Sequence, residues 1–155
     1  MAVLFAPAAA QPAEPDFSLS GDILMFQAAP GVLHFNSDPA HAQHSWLLGV
    51  EWQRPSHWLA GYSYFNNSFD QKSHYVYGGY WWPVWEKHPG WYVKLTGGVI
   101  LGYQEPYEDK IPFNHNGVAP GVVPAVGYKA GRFSVQLNLL GTAGLMAIVG
   151  YDLLR

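Results

Sequence analysis

Apolar and polar residues alternate with a period of two through residues 45–53 and again through residues 132–139. Trp46, Leu48, Val50 and Trp52 fall on one parity, as do Phe133, Val135, Leu137 and Leu139. Ser45, Gly49, Glu51, Gln53, Ser134, Gln136 and Asn138 fall on the other. A helix repeats every 3.6 residues and cannot keep such a pattern on one face, whereas a strand puts successive side chains on opposite faces. One face of these strands therefore wants hydrocarbon and the other tolerates water. The apolar faces carry Trp and Tyr near strand ends, which is how a barrel spanning an outer membrane marks its two interfaces.

Composition points the same way. Charged residues make up 12% of the 155-residue chain, about half the usual share, and aromatics make up 16%. A water-soluble surface ordinarily needs more charge than that. The net charge of −3 leaves no basic footprint, so nucleic acid is not an expected partner. The absence of cysteine removes disulfide and thiolate chemistry. No apolar run is long enough for a membrane helix, so any spanning must be done by strands closed into a barrel.

Residues 1–13 read as the remnant of a secretory signal, with an Ala-x-Ala spacing at Ala8 and Ala10, although its basic start is missing; the alternative is a disordered Ala/Pro tail. Residues 14–155 form a single domain. Phe17, Ile23, Leu24 and Phe26 place an apolar stripe on a short amphipathic helix ahead of the barrel, in a segment that also contains Gly21. Alternation and turn residues then predict eight antiparallel strands near 31–37, 44–53, 57–66, 74–85, 90–103, 118–129, 132–140 and 144–153. The connections at 54–56, 86–89 and 129–131 are tight. They alternate with longer ones at 37–43, 67–73 and 104–117, and with a short fourth at 141–143, which is the periplasmic and extracellular asymmetry of an outer-membrane barrel. The expected protein is an all-β, eight-stranded transmembrane barrel, acting as a monomer in a bacterial outer membrane.

On the inward parities Glu51, Lys94, Gln136, Asn138 and Asp152 accompany Leu59, Gly61, Phe65, Ile100, Leu140, Met146 and Ile148. A dry part of the interior is either a packed core or a slot for an acyl chain, with Gly78 or Gly79 leaving depth at its floor. Pro120 and Pro124 each remove a ladder donor from their strand, so the wall should be weak there, either as a bulge or as a seam that a lipid tail can cross. His34 and Ser68 lie at outward ends of strands and can meet across one rim. Acyl transfer needs a base, a hydroxyl near the carbonyl and an acid to orient the base; His34, Ser68 and Asp38 or Asp70 would fill those roles, against the plainer reading of surface histidine and loop serine. His34, His41 and His44 lack a metal-binding spacing, and no cofactor motif is present.

The proline-spaced segment 116–128 running into Gly127-Tyr128, together with Phe65-Asn66-Asn67-Ser68-Phe69 and the Gly/Tyr/Trp strand 77–82, resembles PagP-like outer-membrane lipid A palmitoyltransferases. The similarity covers most of residues 32–153 by order of elements, with few identical positions. It implies transfer of a palmitoyl-like chain from a phospholipid donor to a lipid A acceptor, with no cofactor. By position it places His34 and Ser68 on the family's required histidine and serine. Asn67 stands where the family has aspartate, with Asp70 close behind, and an amide cannot accept a proton. The glycine that sets acyl length falls at Gly79, with Gly78 beside it. The alternatives are a non-enzymatic barrel that binds an apolar ligand, and a lipid A or phospholipid hydrolase using the same residues.

Overall fold

The computed structural model describes residues 21–36 and 45–155. Nine strands close into one antiparallel sheet: β1 (Ile23–Ala29), β2 (Val32–His34), β3 (Trp46–Gln53), β4 (Trp58–Asn66), β5 (Lys72–Pro83), β6 (Trp91–Leu101), β7 (Val118–Ala130), β8 (Phe133–Leu140) and β9 (Gly144–Leu154). Both β1 and β2 pair with β9, so they are two pieces of one strand, broken at Pro30-Gly31. The result is a closed eight-stranded barrel in which each strand pairs with the next and β1 returns to β9.

The first strand differs from the sequence expectation. Residues 23–29 form β1, fully registered on β3 from Ile23↔Gln53 to Ala29↔Leu47, and not part of an amphipathic helix. Met25 and Gln27 point inward while Phe26 is exposed. The run Ile23-Leu24-Met25-Phe26 is apolar on both parities and carries no periodic signature of its own. The expected signal remnant at 1–13, and residues 14–20, lie outside the described residues.

The outer face is apolar. Leu48, Val50, Val76, Leu95, Val99, Val122, Leu137 and Val149 are all exposed. Aromatic pairs ring the end with short turns: Trp58 on Tyr80 (5.1 Å between ring centroids), Trp91 on Tyr128 (5.3 Å) and Phe133 on Tyr151 (5.0 Å). Trp46 meets Tyr64 (5.4 Å) toward the opposite, loop-bearing end. An apolar band between two aromatic zones is consistent with an outer-membrane barrel. Among the described residues no helix is long and apolar enough to cross a membrane.

The interior has two halves. Toward the loops, Ala29, Leu47, Met146 and Ile148 form one buried apolar cluster; Leu59, Tyr75, Tyr77 and Val123 form another that runs along β4 and β5 past the level of Glu51 to Trp81, with Phe65 and Leu140 packed against both. A polar belt crosses the lumen beside it. Lys94 Nζ donates to both Glu51 oxygens (2.9 and 3.1 Å), and the same carboxylate accepts from Tyr77 Oη (2.9 Å), Gln53 Nε2 (2.7 Å) and Gln27 Nε2 (3.4 Å). Every oxygen of a buried carboxylate has to be matched in this way, because an unpaired charge away from water is very costly.

Candidate active site

β2 carries His34 on the inner parity, since Leu33 is 70% exposed while Val32 packs on the apolar cluster. Its placement depends on Gly144, the residue opposite His34 in the β2–β9 register. A Cβ at Gly144 would stand 2.2 Å from the Leu33 carbonyl oxygen, so a residue with a side chain would push β2 off β9. Gly144 was not among the expected functional residues. The only trace it leaves in the sequence is a glycine opening a strand, and its partner is visible only in the fold.

Ser68 reaches the same rim from the β4–β5 turn. His34 Nε2 and Ser68 Oγ are 2.7 Å apart, a hydrogen bond of ordinary O–H···N length. With the ring proton on Nδ1, Nε2 can take a proton from a hydroxyl at this position. The pair stands at the outer end of the apolar half of the lumen, directly above Val32 and its cluster.

Asn67 has a different task. It is buried, its Oδ1 accepts from the backbone N–H of Phe69 (2.9 Å) and Gln71 (3.0 Å), and its Nδ2 donates to Ser73 Oγ (3.0 Å) and Gln71 Oε1 (3.4 Å). This amide folds the turn that presents Ser68, using its side chain as a surrogate backbone group. Asp70 adopts a positive φ of 61° and accepts from Asn66 Nδ2 (2.8 Å), whose Oδ1 in turn accepts from Lys72 Nζ (2.8 Å). The structure thus joins His34 to Ser68 and commits Asn67 and Asp70 to the turn. Asp38, His41 and His44 lie outside the described residues.

The long segment between β6 and β7 braces the same turn. Gln71 and Gln104 exchange two hydrogen bonds (3.1 and 3.2 Å), Tyr107 stacks on Phe69 (4.3 Å, 15°), and Lys110 lies over the Phe69 ring at 5.8 Å. Asn114 Nδ2 donates to the Tyr103 carbonyl (2.8 Å), and burial pushes the Tyr103 phenol up to about 12. The residue beside Ser68 is therefore held from both sides, which fixes the serine without a strand around it.

The remaining expected residues divide by face. Gly79 has inner parity and Gly78 is exposed on the outer wall, so of the two only Gly79 faces the lumen. At Gly79 a Cβ would meet the Leu95 carbonyl oxygen at 2.3 Å, so this glycine also lets β5 and β6 approach closely. Pro120 and Pro124 are exposed and occupy the part of β7 that pairs with β6 alone. The β7–β8 register begins at Ala125↔Asn138, leaving residues 118–124 without a β8 partner. The wall is thus unzipped on the side where the prolines withhold donors. Compared with known proteins, the chain matches no protein-family model and no curated sequence.

Proposed function

We propose that the chain is an outer-membrane enzyme that moves a fatty acyl, palmitoyl-like chain from a phospholipid to lipid A. The observation that carries this reading is the 2.7 Å contact of His34 Nε2 with Ser68 Oγ at the mouth of an apolar lumen. His34 takes the proton of the acceptor hydroxyl as that oxygen attacks the ester carbonyl, while Ser68 donates to the carbonyl oxygen as charge builds on it. The bond to the glycerol oxygen then breaks, and the proton on His34 passes to the departing lysophospholipid. The acyl chain lies among the apolar side chains below the pair, reached through the open seam at Pro120 and Pro124, with Gly79 on the lumen wall.

The test is mass spectrometry of lipid A from outer membranes carrying the wild type, His34→Ala or Ser68→Ala. The wild type should add an acyl chain, and loss of the base should slow transfer by roughly 10²–10⁴-fold. An unchanged acylation pattern together with no phospholipase activity in detergent would remove the proposal. Release of free fatty acid without transfer would make water the acceptor and the chain a hydrolase.

A further inference from the structure

At the end with short turns the described residues leave part of the barrel open. A cavity of about 700 Å³ opens there, within the size range of small-molecule sites. Its lining includes Met25, Gln53, Trp81, Tyr92, Lys129 and Ser134. It lies at the end of the barrel opposite the His34–Ser68 pair. Ser73, at the loop end of β5, and Trp81 are eight residues apart on one strand, about 26 Å at the rise of a strand.

The chemistry of the lining selects a ligand class. Trp81 Nε1–H is buried and has no acceptor among the described residues, which is costly to leave unmet. Ser134 Oγ donates to the Met25 sulfur at 3.3 Å, a weak acceptor, and also lies in hydrogen-bond reach of the Tyr92 hydroxyl. Tyr92 has its hydroxyl engaged with Gln136 Oε1 (3.1 Å), leaving its ring as an apolar wall. The ionic groups are balanced: Lys129 Nζ lies 2.9 and 3.0 Å from the two Asp152 oxygens, and the lining carries one further residue of each sign, Glu86 and Arg155. The cavity therefore offers hydrogen-bond donors and apolar walls without net charge.

We propose that this turn-side cavity binds a neutral amphiphile with an apolar body and one oxygen acceptor, the oxygen accepting from Trp81 Nε1–H and the body lying against Met25 and Tyr92. The site is independent of acyl transfer at the opposite rim. The probe is 1-decanol, titrated into the full chain in lipid nanodiscs with ¹³C-methyl methionine. Met25 lies in the cavity and Met146 in the loop-side cluster, so one spectrum carries both signal and control. The Met25 methyl should shift saturably while Met146 stays in place, and Trp81→Phe should weaken binding by about fivefold, the worth of one hydrogen bond.

If neither methyl moves, or both drift together without saturation as the alcohol enters the bilayer, the site does not exist. A saturable Met25 shift with unchanged affinity in Trp81→Phe would overturn the assignment of the indole as donor. Ser134→Ala provides a second check that leaves the aromatic walls in place, and it should weaken binding less than Trp81→Phe.

Discussion

Replacing Lys94 with methionine should be the most destabilising single change in the middle of the barrel. The Lys94 and Glu51 side chains are 3% and 0% exposed, and the ammonium supplies two of the five hydrogen bonds that reach the carboxylate. Removing one partner of a buried pair costs about 3–5 kcal/mol, because the other charge stays in place without compensation. At about 1.4 kcal/mol per decade that lowers the folding equilibrium by roughly two to three and a half orders of magnitude. A second change separates this cause from lost packing. Glu51→Gln on the Lys94→Met background removes the stranded charge while keeping an oxygen that can accept from Tyr77 or Gln53, and should recover at least half of the loss. The assay is reversible urea unfolding in lipid vesicles, followed by tryptophan fluorescence and by heat-dependent gel mobility. A single variant within about 1 kcal/mol of wild type, or a double variant no better than Lys94→Met, would refute the reasoning that the belt is an ion pair held away from water.

Three further outcomes follow from the rim. Asn67→Asp should not raise acyl transfer, because the side chain is spent on the turn. It should lower stability by about 1–3 kcal/mol by setting a carboxylate against Gln71 Oε1, and a turnover gain of tenfold or more would mean that the carboxylate reaches His34. Gly144→Ala should displace β2 and slow acyl transfer by roughly 10²-fold through misplacement of His34, with circular dichroism unchanged. For Tyr103 the protonated phenol is the form favoured in the fold. Its contribution is complete below its ordinary value of 10.0 and drains away as the pH climbs toward about 12, so between pH 10 and 12 the wild type should lose more stability in urea unfolding than Tyr103→Phe.

Much of the wall was legible from alternation because a half-buried strand has to alternate. Trp46, Leu48, Val50 and Trp52 all turn outward while Glu51 and Gln53 are buried, as the pattern requires. The first strand was not legible. Ile23-Leu24-Met25-Phe26 is apolar on both parities, and Gln27 is a buried polar residue whose partners, Glu51 and Tyr77, come from distant strands. The meeting of His34 and Ser68 could be anticipated because strand direction places both on one rim. The role of Asn67 could not, since an amide that folds a turn and one that replaces a catalytic acid look alike in a sequence. The Glu51–Lys94 pair spans 43 residues, and strand parity sets both inward without saying that they meet. Gly144 matters only because Leu33 lies against it, a contact between strands far apart in the chain.

The whole account depends on lipid contacting the outer face of the barrel. Tryptophan fluorescence of the purified chain in bilayers of brominated phospholipids, with bromine placed at successive depths, measures this directly. Trp58, Trp82 and Trp91 are exposed on the outer face, so bromine close to the headgroup should quench strongly and bromine at the chain ends much less. Emission indifferent to brominated lipid, from a chain that stays dispersed in buffer without detergent, would contradict it.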